Sequence, residues 1–125
     1  MKKQHIFNFT VAYADTDAEG VMYHARYIEV AERARFDLSK HVPIPDGDLG
    51  FVVRELNIKY MHPIFLGDNF TVESQFVKIG AASMTIEQKF VKDDEICAIM
   101  NITIAYLGSD MRVKAIPESI IDALK

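Results

Sequence analysis

Hydrophobic and polar residues alternate along an early stretch of the chain and then change to a helical spacing. The segment FNFTVAY, residues 7–13, alternates and predicts a first strand, which ends where the polar run ADTDAEG begins. From about His24 to His41 the apolar residues recur every three or four positions, which predicts a helix with one apolar stripe. The stripe consists of Tyr27, Ala31, Ala34 and Leu38.

The far side of this predicted helix is polar, and its end is marked by helix-breaking residues. Glu29 and Arg33 have the i,i+4 spacing of a helical ion pair. The segment VPIPDGDLG, residues 42–50, then stops the helix with two prolines and two glycines.

A period of two returns at Phe51 and predicts further strands. They cover residues 51–61, 69–80, 82–91 and 96–107, with the turn KDDE before the last of them. The last strand is the longest and most apolar, so we expect it at the centre of the sheet. The buried faces of the two middle strands are expected to carry Phe70, Val72 and Phe76, and Met84, Ile86 and Phe90.

The end of the chain continues this pattern only weakly. The segment MRVKAI, residues 111–116, is a candidate for one more strand, and residues 117–125 predict a short helix with Pro117 at its start. A strand, a long helix and then mainly antiparallel strands indicate an α+β fold in a single domain spanning residues 1–125. One helix covers only one face of such a sheet, so we expect the remaining apolar area to be buried in a homo-oligomer.

Composition and charge exclude several classes of function. The net charge is −4 and no long cluster of lysine and arginine occurs, which argues against nucleic-acid binding. The start MKKQHIFNFT lacks the apolar run of a signal peptide, and no stretch approaches the roughly 20 apolar residues of a membrane span. We therefore expect a cytoplasmic protein without a membrane span.

Cysteine and histidine usage indicates no metal and no tightly bound cofactor. The one cysteine, Cys97, lies in an apolar run and is expected to be a small core residue without a disulfide partner. The histidines at positions 5, 24, 41 and 62 lack the spacing of metal ligands.

The polar run before the helix superficially resembles a calcium loop. Asp15, Asp17, Glu19 and Gly20 occupy the first, third, fifth and sixth positions of such a loop. The twelfth position should be a bidentate glutamate but is Arg26, and the run follows a strand rather than a helix. The calcium interpretation is therefore rejected.

Two interpretations of the aspartates remain. In the first they accept hydrogen bonds from backbone groups in an ordinary turn, which we favour for Asp15. In the second Asp17 acts in chemistry, because the apolar segment GVMYHARY that follows is expected to desolvate it partly. A helix start offers unpaired N–H groups that polarise a carbonyl, and Asp17 then attacks directly or activates a water. Gly20 would let the backbone approach the substrate closely.

The stretch YADTDAEGVMYHARYIEVAERAR, residues 13–35, is similar to a family signature, D-T-D-x-G-G-V-V-Y-H-x-x-Y…E-R-A-R. In this it resembles the hotdog-fold acyl-CoA thioesterases of the 4-hydroxybenzoyl-CoA thioesterase-like family, especially the YbgC-type branch. Residues 51–74 and 80–90 extend the resemblance over most of the chain. The resemblance implies a hotdog fold, in which an antiparallel sheet wraps one long helix, and dimers or tetramers with active sites between subunits.

The same resemblance implies the reaction and the residues that carry it. The reaction would release a carboxylic acid and free coenzyme A from an acyl thioester, with coenzyme A entering only as part of the substrate. Asp17 would be the nucleophile or the general base, and backbone N–H near His24 would hold the thioester oxygen. The His24 side chain would orient water or Asp17, or simply lie on the surface. The candidates for substrate binding are Gly20, Tyr23, Val53, Arg54 and Ser83, although packing is the more natural role for Tyr23.

Two departures from the family pattern concern charge. Glu19 stands where the branch usually has a glycine, and the turn KIGAAS offers only Lys78 to a nucleotide phosphate. Arg54, Lys59 and Lys89 are then the candidate cations. An acyl-carrier-protein thioester is the alternative substrate, and a non-catalytic thioester-binding protein is the alternative class. A dehydratase of 3-hydroxyacyl thioesters ranks last, because its His/Asp arrangement is not recognisable.

Overall fold

The structure, a computed structural model, describes residues 4–125, so Lys2 and Lys3 of the N-terminal segment lie outside the described residues. Five strands form one antiparallel sheet in the order β1-β3-β4-β5-β2, and one long helix, α1, packs on it. In chain order the elements are β1 His5–Thr10, a 3-10 turn Tyr13–Asp15, α1 Arg26–Ser39, β2 Gly50–Tyr60, β3 Asn69–Ile79, β4 Ser83–Lys92, β5 Glu95–Leu107 and α2 Glu118–Leu124.

The predicted elements are present with small shifts at their ends. The first strand stops at Thr10 rather than residue 13, because Tyr13 already begins the 3-10 turn. Asp93 and Asp94, in the predicted hairpin turn, have positive φ angles of 49° and 63°, as a two-residue turn between twisted strands requires. Pro117 caps the start of α2, as predicted.

Three expectations about this fold were wrong. Residues 111–116 form no strand: Met111 has a φ of 67°, which turns the chain, and only Val113 bridges to Leu107. The middle strand of the sheet is β4 rather than β5, although β5 is paired on both sides. Glu29 pairs with Arg26, one turn earlier, at 3.0 Å instead of with residue 33.

The core lies between α1 and the sheet, as the apolar stripe predicts. Tyr27, Ala31 and Ala34 are buried, and the two alanines allow the helix to lie close to the strands. The predicted inward faces of β3 and β4 are confirmed, since all six of their apolar residues are buried. Cys97 is also fully buried, and burial raises the pKa of its thiol.

One edge of the sheet has a direct bearing on the site. Within residues 4–125, β2 pairs only with β5, so its other edge carries backbone groups that no strand of the same chain meets. The pairing shifts between Val53 and Glu55, which leaves Arg54 at a β-bulge. In the described part of the chain, neither helix has the length and apolar character needed to cross a membrane.

Candidate active site

The polar run before α1 folds into a small hairpin. Thr16 bridges to Met22, and the turn between them is closed by the Asp17 N–H donating to the Val21 carbonyl at 3.0 Å. The Gly20 N–H donates to the Asp17 carbonyl at 3.1 Å. Gly20 has a φ of +81°, a conformation that side chains other than glycine adopt only with strain.

The hairpin is fixed to the connection between β2 and β3. The Met22 N–H donates to the Ile64 carbonyl at 2.7 Å, and the Leu66 N–H donates to the Gly20 carbonyl at 2.9 Å. Asp68 holds this connection in shape by accepting from the Phe65 N–H at 2.8 Å. That bond and the ammonium of Lys92, 2.9 Å away, lower the pKa of Asp68.

Asp15 has the structural role that we favoured for it. Its buried carboxylate accepts from the Ala12 N–H at 2.8 Å, and its carbonyl accepts from the Tyr23 N–H at 2.9 Å. The Arg26 Nε lies 3.4 Å from Asp15 Oδ1, and the same guanidinium donates to the Ala14 carbonyl at 2.7 Å. Asp15 and Arg26 thus join the 3-10 turn to the start of α1.

Asp17 is exposed in the single chain, so the expectation that it is partly desolvated was wrong. The apolar residues after it, Met22 and Tyr27, turn into the core, whereas the hairpin carries Asp17 outward. Its Oδ1 accepts from the Glu19 N–H at 2.8 Å. Within residues 4–125 its Oδ2 accepts no hydrogen bond, which leaves one carboxylate oxygen available for chemistry.

The helix begins at Arg26, two residues later than the expected His24, and a turn precedes it. The Arg26 N–H donates to the Tyr23 carbonyl at 2.8 Å. The N–H groups of His24 and Ala25 have no acceptor among residues 4–125. They stand at the positive end of the helix dipole and point to no partner in the described chain.

A residue that the sequence analysis missed fixes this turn. The Tyr60 hydroxyl, at the end of β2, donates to the His24 carbonyl at 2.7 Å, and the rings of Tyr23 and His24 pack with centroids 4.4 Å apart. Burial raises the pKa of Tyr60 above its ordinary value. The two partners are 36 residues apart, and no local motif marks the contact.

A cavity of about 310 Å³ lies beside the turn. His24, Tyr27, Tyr60 and His62 are among its walls, whereas Asp17 does not line it. No group of three or more histidine, cysteine, aspartate or glutamate side chains that could hold a metal ion occurs among residues 4–125.

The remaining predicted site residues lie at the other end of the sheet. Val53 and Arg54 are seven and six positions before Tyr60 on β2, roughly 20–23 Å away at about 3.3 Å per residue. Ser83 lies near them, because it pairs with Ala105, which also pairs with Val52. The single chain therefore carries Asp17 and Gly20 on the hairpin and Tyr23 and His24 on the turn that follows it, and separates all four from Val53, Arg54 and Ser83.

The candidate cations for a nucleotide are also dispersed. Lys59 and Lys89 lie on either side of Ile99 in one row of the sheet, and Lys89 is 3.7 Å from Glu87. Arg54 is exposed at the bulge. No cluster of these cations forms in the described chain.

An antiparallel sheet packed on one long helix, with a polar hairpin leading into that helix, is the arrangement of a hotdog fold. The model of the thioesterase-like superfamily matches residues 11–124. The chain therefore belongs to that superfamily, in its YbgC-type branch, and is a thioester hydrolase.

Known relatives agree with this assignment. The acyl-CoA thioesterase YbgC of Haemophilus influenzae is 30% identical over 121 residues, covering 91% of this chain and 89% of the relative. The crystal structure of a probable thioesterase from Bartonella henselae has a TM-score of 0.83 and 26% identity, covering 92% of this chain and 100% of that one. A Staphylococcus aureus protein solved in complex with CoA has a TM-score of 0.88 at 18% identity, covering 99% and 85%. The hotdog fold implied by the sequence is confirmed.

Proposed function

We propose that the protein hydrolyses acyl-CoA thioesters to a carboxylic acid and free coenzyme A, with Asp17 as the catalytic carboxylate. The observation that supports this most strongly is that one short segment carries both a carboxylate oxygen and backbone N–H groups that have no hydrogen-bond partner in the described chain. Asp17 has a free carboxylate oxygen, and His24 and Ala25, at the start of α1, have free backbone N–H groups. The H. influenzae relative, which is named an acyl-CoA thioesterase, supports coenzyme A as the carrier.

The chemistry needs only these groups and water. The thioester oxygen accepts from backbone N–H near His24, and one such donor is typically worth about 3–4 kcal/mol in the transition state. Asp17 either attacks the carbonyl carbon itself, forming an anhydride that water then hydrolyses, or removes a proton from the attacking water. In both routes the carbon–sulfur bond breaks, and the thiolate of coenzyme A leaves and takes up a proton.

A dimer formed along β2 would reunite the two separated parts of the site. Antiparallel pairing of two β2 edges about a two-fold axis near the strand's middle places the Val53 end of one subunit beside the Tyr60 end of the other. Val53, Arg54 and Ser83 then lie next to the partner's hairpin. The partner would also cover Asp17, which the single chain leaves exposed, and pairs of dimers would give a tetramer.

The test is thiol release from a panel of acyl-CoAs with short, long and aromatic acyl groups, with acyl-carrier-protein thioesters run in parallel. The Asp17→Asn protein, purified identically, controls for contaminating host thioesterases. The proposal expects turnover of acyl-CoA by the wild type that the control lacks. Turnover of carrier-protein thioesters alone would show that the carrier is acyl-carrier protein rather than coenzyme A. Equal rates in the wild type and the control would refute the proposal.

A further inference from the structure

A second cavity, of about 240 Å³, lies between α1 and the first residues of β2. Its walls are mostly apolar and include Phe36, Phe51, Val53, Phe76 and Ile104. Val53 is 54% exposed and belongs to β2, whose outer edge no strand of the described chain meets. In the proposed β2-paired dimer, that edge would face the hairpin of the partner, and the cavity would then be placed to receive the acyl group.

One cation reaches into these apolar surroundings. Arg35 lines the cavity and donates from Nη1 to Gln88 Oε1 at 2.9 Å. Gln88 is itself fixed, since its Nε2 donates to the Ala31 carbonyl and to Ser74 Oγ, each at 3.0 Å. The side chains of Gln88 and Ser74 are fully buried. The guanidinium is therefore held in one position from the sheet side.

The positive charge of Arg35 is not neutralised by an ion pair within this hydrogen-bond network. No carboxylate of the described chain lies within 4.0 Å of the guanidinium, and its hydrogen-bond partner is a neutral amide. Burial lowers the pKa of Arg35, and the more distant Glu32 only opposes this effect. A guanidinium has five N–H donors, and a structural contact with one amide oxygen needs one of them. Arg35 is half-buried, and within the described chain its other N–H donors are free to meet an acceptor that enters the cavity.

We propose that Arg35 determines specificity in the acyl pocket by donating a hydrogen bond to an oxygen atom at the distal end of the acyl group. This inference rests on the proposed thioesterase function. The enzyme then prefers acyl thioesters that end in a hydroxyl, keto or carboxylate oxygen to purely aliphatic ones of equal length. The preference is expected to be roughly tenfold to hundredfold in kcat/KM, the size expected when a hydrogen bond to a charged donor is lost. Because the contact is remote from the thioester, most of this effect should be in KM.

The test compares matched acyl-CoAs that differ only at the distal end, in four-carbon and six-carbon series: the plain acyl, the ω-hydroxyacyl and the ω-carboxyacyl thioester. The variants are Arg35→Met, which removes charge and donors, and Arg35→Gln, which keeps one donor for Gln88. Arg33→Met, an exposed position on the same helix outside this cavity, is the matched control. Thermal melting verifies that each variant is folded.

The expected result is a preference for one or both oxygen-bearing members in the wild type and in Arg33→Met. In both Arg35 variants kcat/KM should fall more on the oxygen-bearing members than on the plain acyl-CoA, so that the preference is lost. Comparing the ω-hydroxyacyl with the ω-carboxyacyl thioester identifies which oxygen is recognised. Because the carboxylate of Glu32 lines the same cavity, we expect the uncharged hydroxyl to be preferred. Equal losses on all members of a series, or no preference in the wild type, would overturn the inference.

If no acyl-CoA is hydrolysed, the proposed function fails, and calorimetric binding of the same pairs still decides the role of Arg35. Tighter binding of the oxygen-bearing member that is lost in Arg35→Met supports the inference. Equal binding within each pair refutes it.

Discussion

The buried network around Gln88 gives a stability prediction that can be worked from the structure. Replacing Gln88 by leucine removes three hydrogen bonds, to Arg35, Ala31 and Ser74. Each neutral bond contributes about 1 kcal/mol net and the bond to the cation about 2 kcal/mol. Added apolar burial by leucine offsets about 1 kcal/mol of this sum. We expect Gln88→Leu to lower the free energy of unfolding by about 3 kcal/mol, against a total of roughly 6–19 kcal/mol for a chain of this length.

Urea unfolding followed by far-ultraviolet circular dichroism measures this loss, since the chain has no tryptophan to report by fluorescence. All proteins are compared at one protomer concentration, because oligomerisation makes stability concentration-dependent. The matched control is Gln75→Leu, on the opposite face of the sheet, where a change below about 0.5 kcal/mol is expected. Adding Ser74→Ala to Gln88→Leu removes the orphaned hydroxyl and should recover about 1 kcal/mol. A loss below about 1 kcal/mol for Gln88→Leu would refute the view that this network holds α1 to the sheet.

Three further predictions concern the loop that carries the site. Asp15→Asn should lower the free energy of unfolding by about 1–2 kcal/mol, through the weakened contact with Arg26, while kcat stays within about twofold; a large fall in kcat at unchanged stability would contradict the structural role. Tyr60→Phe removes the bond to the His24 carbonyl and should lower kcat severalfold in the thiol-release assay with little change in melting temperature; an unchanged kcat would show that this bond does not position the turn. Asp68 has a lowered pKa in the folded chain, so its contribution to stability is present above its unfolded pKa of about 3.9 and is lost as pH falls below it. The difference in unfolding free energy between wild type and Asp68→Asn should therefore be constant near pH 7 and shrink below about pH 4; a difference that grows on acidification would contradict the assignment.

The strands and α1 were predictable because each has one face in the core. Alternation in β3 and β4 and the stripe along α1 are direct consequences of that burial. The same parity places Gln88 on the buried face with Met84, Ile86 and Phe90. Its partner Arg35 lies 53 residues away on α1, and no local pattern in the sequence reveals such a contact.

Other predictions were wrong because they depended on three-dimensional contacts that the order of residues along the chain does not reveal. Residues 111–116 alternate briefly, but Met111 adopts a left-handed conformation and the chain leaves the sheet. Arg26 competes with residue 33 for Glu29 at a spacing that helices also allow. The surroundings of Asp17 were misjudged because its apolar neighbours in sequence point into the core while its turn points away from it.

Under the proposed function, Asp17 performs the chemistry and Asp15 holds the structure. The most direct measurement is kcat for thiol release by Asp17→Asn and Asp15→Asn, with acyl-CoA binding and unfolding measured on the same samples. We expect Asp17→Asn to lower kcat by about a hundredfold to ten-thousandfold while binding and stability persist. Asp15→Asn should instead lower the free energy of unfolding and leave kcat within about twofold of the wild type. A near-normal kcat in Asp17→Asn, or equal losses from both substitutions, would contradict these roles.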